Sequence, residues 1–489
     1  MAQPTIDATG EPVAQWRDKK RYLWLLGLIP PTALFVATGF VALMNWAGRE
    51  LDWGWLNAVS PVWWWTGPIL VYLLLPLLDV FFGPDGQNPP EELIEQLEND
   101  KYYRYCTYVY IPFQLASLIF ASYLWTADNL TWLGIESGGL GLASKIGLAF
   151  TVGAMGGIGI NTAHELGHKK VTMERWLSKV TLAQTFYGHF YIEHNRGHHV
   201  RVATPEDPAS SRYGEGFWTF LPRSVWGSLR SAWELEANRM KRLERPVLHH
   251  TNDVLNAWAM SVVLWGALAL IFGWQVLPFL LLQAVYGFSL LETVNYLEHY
   301  GLLRQKNARG RYERCTPQHS WNSDHIATNI FLYHLQRHSD HHANPTRRYQ
   351  TLRSFEESPN LPSGYASMIG IAYFPPLWRK VMDKRVLAHY DGDLSRANLQ
   401  PSKAATLLAA HEAVAVAVLE RPAADGTPTA QNVSADAYRC GNCEYVYRIV
   451  DGAPREGFAP GTAWHDVPDD WPCPDCGVRE KVDFLPIGV

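Results

Sequence analysis

Six long apolar runs constrain the fold of this chain more than any other feature of its sequence. They cover residues 22–46, 62–82, 106–126, 142–163, 255–272 and 276–297. A helix needs about 20 mostly apolar residues to cross the hydrocarbon core of a bilayer. We therefore predict an α-helical integral membrane protein with six transmembrane helices. Buried helices of a large soluble protein are the alternative, but six such runs with few internal charges argue against it.

The basic residues between these runs predict which side of the membrane each segment faces. The N-terminal tail, residues 1–21, and the segments 83–105 and 164–252 carry many Lys and Arg, whereas 47–61 carries one and 127–141 carries none. Short loops rich in Lys and Arg stay in the cytoplasm. We expect both termini and a helical cap formed by the polar segments to lie on the cytoplasmic side.

Three short stretches near the ends of the runs concentrate the histidines. They are His164-Glu165-Leu166-Gly167-His168, His194-Asn195-Arg196-Gly197-His198-His199 and His338-Ser339-Asp340-His341-His342. Helical residues three and four apart share a face, so each stretch is expected to present two or three imidazoles to one point. Eight imidazoles exceed the needs of one tetrahedral zinc and indicate two metals with four or so nitrogen ligands each. His299, at the end of the sixth run, raises the total to nine.

Carboxylates lie next to or near the histidines of these motifs. They are Glu165, Glu193, Glu298 and Asp340. Metal-bound imidazoles commonly donate their second N–H to a carboxylate, so these acids are predicted to support the ligands, and direct metal binding by any of them stays open. Four other histidines lie nearby but break the spacing: His189, His319, His325 and His334.

Two zinc-based interpretations compete with a two-metal site. His164 to His168 satisfies the H-E-x-x-H pattern of zinc peptidases, in which Glu165 would act as general base. That site needs one further ligand, which leaves the two His-His doublets unexplained. A zinc transporter or sensor is the other, but transporters carry acids within their spans and few are present here.

The last part of the chain has the composition of a separate small domain. Residues 396–435 read as a linker, and residues 436–489 contain two C-x2-C pairs formed by Cys440, Cys443, Cys473 and Cys476. Four thiolates in a tetrahedron suit Zn or a single Fe, so a structural zinc ribbon stays possible on spacing alone. Six aromatic residues supply a core for it: Tyr438, Tyr445, Tyr447, Trp464, Trp471 and Phe484.

These cysteine knuckles and the aromatic residues around them resemble rubredoxin, a small β-rich protein that carries one electron on one iron. The match covers residues 436–485, with Glu444 where rubredoxins often have Gly. Residues 22–395 form the membrane domain, and from about Lys19 to Gly392 the chain resembles the integral-membrane alkane 1-monooxygenases. The motifs that carry this resemblance are the three histidine stretches, Asn88-Pro89-Pro90-Glu91-Glu92 and Asn295-Tyr296-Leu297-Glu298-His299-Tyr300-Gly301.

The resemblance implies O2-dependent terminal hydroxylation of n-alkanes to 1-alkanols at a non-haem di-iron site with the nine histidines as ligands. It also implies a bacterial inner membrane location, alkane supplied from the membrane lipid, and a separate NADH-dependent flavoprotein rubredoxin reductase. A membrane fatty-acyl desaturase or lipid hydroxylase of the same metal type is the alternative. The net charge of −5 and the lack of a basic stripe argue against a nucleic-acid partner.

Overall fold

The computed structural model describes residues 16–135, 138–419, 437–440, 445–468, 471, 481 and 484–487. The longer helices in chain order are α1 (Leu23–Glu50), α2 (Trp55–Phe82), α3 (Lys101–Thr126), α4 (Leu142–Gly167), α5 (Thr172–Ala183), α6 (Phe217–Arg242), α7 (Asp253–Phe272), α8 (Trp274–His299), α9 (Tyr365–Ala372), α10 (Pro375–His389) and α11 (Ala404–Leu419). Shorter helices are Ile94–Asn99, Phe190–Glu193, His199–Arg201, Ile326–Phe331 and His338–Ala343.

Six of these helices are long and apolar enough to cross a membrane, namely α1 to α4, α7 and α8. They coincide with the six predicted runs, so the prediction of a six-helix membrane protein is confirmed. Local sequence explains several of their ends. Asn252 caps α7 by accepting hydrogen bonds from the backbone N–H groups of Val254 and Leu255. Gly273, with φ of 81°, ends α7 and allows the immediate turn into α8.

The prolines of the first run also mark a change of helix type. Leu23–Leu28 is a 3₁₀ turn, and the α-helical part of α1 begins at Ile29, directly before Pro30 and Pro31. A proline in the first turn of an α-helix interrupts no internal hydrogen bond. The two prolines therefore start the α-helical part of the span.

Helix α4 lies at the centre of the membrane domain and packs along α8. It is almost entirely buried, and small residues allow this close approach. A Cβ atom at Gly157 would lie 2.8 Å from the carbonyl oxygen of Gly287, and one at Gly287 would lie 2.9 Å from that of Gly153. The contact brings the ends of α4 and α8, which carry His164, His168 and His299, side by side.

The chain divides into two compact units, residues 1–408 and 409–489. The second contains an antiparallel sheet of strand order β2-β1-β3, with β1 at Ala437–Cys440, β2 at Val446–Arg448 and β3 at Phe484–Ile487. Tyr447, Trp471 and Phe484 are buried, and Tyr438, Tyr445 and Trp464 pack against them. The predicted aromatic core and β-rich character of this domain are therefore confirmed.

Candidate metal centre

Nine buried or half-buried histidine rings converge on two neighbouring points. The first set, here called the five-ring group, consists of His164, His168, His194, His199 and His341. The second, the four-ring group, consists of His198, His299, His338 and His342. Within each group the candidate ligand nitrogens all lie within 4.8 Å of one another. These nine are the histidines that the sequence motifs single out.

Each group is assembled from helices that are distant in sequence. His164 lies in the last turn of α4 and His168 directly follows that helix, while His299 is the last residue of α8. The others come from the helical stretch over residues 190–201 and from the short helix His338–Ala343. The five-ring group therefore needs α4, and the four-ring group needs α8, each packed together with the two later segments.

A π-helical turn over His194–His198 divides the first histidine doublet between the groups. The N–H of His199 donates to the carbonyl of His194, five residues earlier. This places the Nε2 atoms of His194 and His199 3.1 Å apart in the five-ring group, while His198 joins the four-ring group. Single π-helical turns occur frequently at functional sites.

The second doublet divides in the same way on an ordinary helix. The Nε2 atoms of His338 and His342, one turn apart, lie within 2.9 Å of each other. That of His341 lies 2.8 Å from His164 Nε2 instead. The expectation that each stretch serves one point is therefore wrong for both doublets, because adjacent helical residues point about 100° apart.

Two acceptors outside the rings orient members of the four-ring group. Asp207 Oδ2 lies 2.9 Å from Nδ1 of His198. Glu298 Oε2 lies 3.2 Å from Nε2 of His338, the same nitrogen that faces His342, so this carboxylate lies on the ligand side of the ring. The Nδ1–H of His299 donates to the carbonyl oxygen of His319 at 3.1 Å. Because a carbonyl only accepts, this bond leaves a lone pair on Nε2 of His299, which is the form that binds a metal.

The charge states of these groups suit metal ligation. Burial, reinforced by the neighbouring rings, lowers the pKa of six histidines outside the membrane spans well below the usual 6.5: His168, His194, His199, His338, His341 and His342. They are neutral at pH 7. Burial opposes ionisation of Asp207, but His198 and the hydroxyl of Ser210 outweigh it and lower the pKa of this carboxyl to about 2.

Unpartnered ring nitrogens support a metal at each group. In the described part of the chain, the buried Nε2 atoms of His168, His198 and His299 have no hydrogen-bond partner. A buried polar atom without a partner costs free energy, and neutral imidazole nitrogen suits Zn, Cu, Fe and Ni. The rings of both groups therefore fit a metal ion.

Three of the four predicted supporting acids have other partners. Among the described contacts, Glu165 pairs with Lys169 at 3.0 Å, Glu193 accepts from Arg201 at 2.8 Å, and Asp340 pairs with Arg347 at 2.8 Å. Burial raises the pKa of Glu193 to about 7. Among these four acids, only Glu298 contacts a histidine ring in the described contacts. Glu165 is engaged in an ion pair, whereas a zinc peptidase would need it as a general base.

An apolar cavity of about 40 Å³ lies between the membrane helices that carry the histidines. Its lining comes mainly from α2, α4, α8 and α9 and includes Asn161, Val294 and Leu335. Asn161 is three residues before His164, Val294 is five before His299, and Leu335 is three before His338. The lining of the cavity therefore includes residues within one or two helical turns, along the chain, of histidines from both groups.

The predicted cysteine site lies mostly outside the described residues. Cys440 is buried at the end of β1, and its N–H donates to the carbonyl of Tyr445 at 2.9 Å. Cys443, Cys473 and Cys476 lie outside the described residues. The antiparallel sheet and its aromatic core hold Cys440 in place.

Comparison with known proteins assigns both parts of the chain. The fatty acid desaturase family matches residues 143–372, and the rubredoxin family matches residues 437–484. The alkane 1-monooxygenase of Acinetobacter baylyi is 46% identical over 392 residues, which are 80% of this chain and 91% of that protein. The alkane 1-monooxygenase of Pseudomonas putida is 43% identical over 389 residues, which are 79% of this chain and 90% of that protein. The chain belongs to the alkane 1-monooxygenase family.

Membership in the alkane 1-monooxygenase family makes this chain an integral membrane enzyme. Rubredoxin 3 of Rhodococcus erythropolis is 69% identical over 51 residues, which are 10% of this chain and 84% of that protein. The fused rubredoxin indicates electron transfer. Together with the desaturase-like, histidine-rich site, it implies iron, and the predicted resemblance to both families is confirmed.

Sequence reasoning missed two supports of the four-ring group. Asp207 stands in Pro205-Glu206-Asp207-Pro208, outside every histidine motif, and contacts His198 only because the chain turns back after residue 201. The second support is the backbone carbonyl of His319, which a pattern of side chains in the sequence does not predict. Neither support has a spacing that would reveal it.

Proposed function

We propose that this enzyme uses dioxygen to hydroxylate the terminal carbon of n-alkanes to 1-alkanols at two irons held by the nine histidines. The observation that carries the proposal is the convergence of nine histidine rings into two groups, in a membrane domain whose helices also enclose an apolar cavity. The names of the relatives, alkane 1-monooxygenase, support the same reaction.

The residues of the site have three roles in this proposal: they ligate the metals, orient the ligands and bind the hydrocarbon. When bound, the iron pair supplies the oxidising power that an unactivated C–H bond requires. The histidine rings provide the nitrogen lone pairs, and Asp207 and the carbonyl of His319 fix the orientation of two of them, His198 and His299. The apolar cavity binds the hydrocarbon and excludes water from the reacting carbon.

The rubredoxin domain supplies the electrons, carrying one iron on Cys440, Cys443, Cys473 and Cys476. Each turnover joins one oxygen atom to the alkane and reduces the other to water, which consumes two electrons and two protons. Fusion makes delivery intramolecular, at an effective concentration on the order of millimolar. A separate NADH-dependent flavoprotein reduces the rubredoxin domain after each transfer.

The distribution of Lys and Arg supports an orientation in the bacterial inner membrane. The N-terminus, the metal centre and the rubredoxin domain face the cytoplasm, where NADH and the reductase are present. The alkane enters from the membrane lipid, where it concentrates. Proteolysis of inside-out and right-side-out vesicles at the linker, residues 396–435, distinguishes this orientation from its opposite.

The test is product analysis with isotope-labelled oxygen. Full-length protein in lipid vesicles receives NADH, a rubredoxin reductase, ¹⁸O₂ and an n-alkane, and we expect a 1-alkanol that carries ¹⁸O. Cys476→Ser is the matched control, because it removes the predicted donor and leaves the histidines intact. Its turnover should fall to background and return when a separate rubredoxin is added.

The desaturase match over residues 143–372 defines the competing outcome. A desaturase of the same metal type would leave the alkane unchanged and introduce a double bond into a fatty-acyl chain. Unlabelled alkane together with an unsaturated acyl product would therefore replace the proposal, and no oxidised product from either substrate would reject both.

A further inference from the structure

Three tyrosine hydroxyls meet beside the buried apolar cluster that encloses the cavity. The hydroxyl of Tyr72 lies 3.1 Å from that of Tyr286 and 3.1 Å from that of Tyr373. The Thr293 hydroxyl donates to that of Tyr373 at 3.4 Å. These three residues are here called the tyrosine cluster. Tyr72 belongs to α2, Tyr286 belongs to α8, and Tyr373 directly follows α9, so the hydroxyl contacts link the three helices.

The tyrosine cluster stands between the cavity and the outer surface of the helices. Tyr72 follows Val71, Tyr286 precedes Leu290 by four residues, and Tyr373 follows Ile369 by four; these three neighbours line the cavity. The residues beside the tyrosines on the outer side are exposed: Leu73, Leu74, Val285 and Phe374. All three tyrosines pack against the buried apolar cluster that contains Val71, Leu290 and Ile369, so the tyrosine cluster covers this side of the cavity.

Aromatic stacking holds the rings of Tyr286 and Tyr373, so the hydrogen bonds between the cluster hydroxyls can break while the rings stay packed. Phe150 stacks on Tyr286 with ring centroids 4.5 Å apart. Trp218, which is 59% exposed, stacks on Tyr373 and donates its indole N–H to the Tyr373 carbonyl at 3.0 Å. Breaking the hydroxyl contacts between the cluster residues leaves these stacking contacts in place.

The cavity is too small for the proposed substrate unless its wall moves. It measures about 40 Å³, whereas an engineered apolar cavity of roughly 150 Å³ holds one benzene molecule. A linear alkane needs more room than that. The helices that must separate include α2, α8 and α9, the three elements that the tyrosine cluster ties together.

We propose that the tyrosine cluster is the lateral gate of this cavity and that a primary alcohol, the product, favours its opening. The inference rests on the proposed function for the identity of the alcohol. An unpaired hydroxyl in an apolar surrounding costs free energy, and an alkane offers no replacement partner. A 1-alkanol both donates and accepts, so it replaces a tyrosine partner without loss of hydrogen bonds. The gate retains the substrate and releases the product.

A cysteine placed in the cavity tests the gate without turnover. Full-length Val71→Cys protein in lipid vesicles, kept without oxygen and reductant, is treated with a lipid-soluble maleimide, and mass spectrometry follows the peptide that contains residue 71. We expect 1-octanol, but not octane, to accelerate labelling about two- to tenfold, the factor that one hydrogen bond contributes. Equal rates with the two additives would overturn the proposal.

Removal of single hydroxyls assigns the effect to the cluster. In the Val71→Cys background, Tyr286→Phe and, separately, Tyr373→Phe should label quickly with either additive, because each lacks one contact of the gate. Tyr110→Phe is the matched control, since its buried hydroxyl donates to the Met155 carbonyl outside the cluster. It should keep the slow rate and the response to 1-octanol, and a loss of that response would overturn the proposal.

An outward cysteine controls for effects of the alcohol on the bilayer. Leu73→Cys lies next to the gate but is exposed, so 1-octanol should leave its labelling rate unchanged. The same acceleration at residues 71 and 73 would overturn the proposal. Because labelling needs no catalysis, these results report on the gate whether or not alkanes prove to be the substrates.

Discussion

The five-ring and four-ring groups lie side by side but differ in what surrounds them. In the described contacts, the rings of the five-ring group approach each other, with His341 Nε2 2.8 Å from His164 Nε2 and 3.0 Å from His199 Nε2. Two rings of the four-ring group approach each other in the same way, but Asp207 also lies behind His198, at its Nδ1 atom. A carboxylate behind a ligand raises its basicity and fixes its orientation. The two proposed metal sites therefore differ, and we expect the four-ring group to bind iron more tightly.

Replacement of one ring in each group gives the largest expected effect. His341→Ala and His338→Ala should each lower hydroxylation more than about 100-fold, beyond the usual loss when only an outer partner of a ligand is removed. The four-ring group is intact in the His341→Ala variant, and the five-ring group is intact in the His338→Ala variant. When iron is limiting, the His341→Ala variant should therefore retain more iron than the His338→Ala variant. Iron content and product formation measure both.

A histidine outside the two groups serves as the control for these replacements. His389→Ala alters a half-buried ring that belongs to neither group and should keep both iron and activity. Equal iron retention in the His341 and His338 variants would remove the proposed difference between the groups.

The pH dependence of the metal-free protein gives the next largest effect. Four of the six rings with a lowered pKa belong to the five-ring group: His168, His194, His199 and His341. Below pH 6.5 the unfolded chain binds protons that the folded chain does not, so the free energy of unfolding falls as the pH falls. The slope is up to about 1.4 kcal/mol per ring per pH unit.

Melting temperatures between pH 7.5 and 5.5 measure this slope. Metal-free protein should lose stability through that window, and iron-loaded protein should lose much less because its ligands are held unprotonated. His194→Gln should reduce the slope of the metal-free protein. A flat curve for the metal-free protein would contradict the burial of neutral rings in the five-ring group.

Removal of the carboxylate behind His198 acts on one group only. Asp207→Asn keeps the shape of the side chain but removes a charge that is present throughout the neutral pH range, because the pKa of Asp207 is about 2. We expect the iron affinity of the four-ring group to fall about 10- to 100-fold, with the five-ring group unchanged. Iron titration of the metal-free variant measures the two affinities, and a parallel loss at both groups would contradict the assignment.

The smallest effect on iron binding is expected from an acid that is next to a histidine in sequence but not in space. Glu165→Gln leaves the buried Lys169 without its counter-charge, which should lower the free energy of unfolding by about 3–5 kcal/mol. Iron affinity should stay at the wild-type value. A loss of iron comparable to that of Asp207→Asn would restore Glu165 as a support of the metal site.

The sequence predicts the members of the metal centre better than their arrangement. Eight of the nine histidines and the six membrane helices follow from local spacing and hydropathy, which a single segment determines. His299 follows from its place at the end of the sixth run and from the family resemblance. The division into five and four does not, because the turn of His194–His198 is π-helical and both doublets diverge. Likewise, Glu165 and Asp340 are predicted to support the ligands because they are next to histidines in sequence, but both pair with basic side chains. The carboxylate that contacts His198 is Asp207, which only the fold of the chain brings there.

The most direct test of the central claim counts the irons bound by histidine alone. In Cys440→Ser/Cys443→Ser protein, where the rubredoxin site is disabled, elemental analysis combined with X-ray absorption reports the number of irons and their neighbouring atoms. We predict two irons per chain, surrounded by nitrogen and oxygen without sulfur. One iron per chain, or none, would contradict a centre built from a five-ring and a four-ring group.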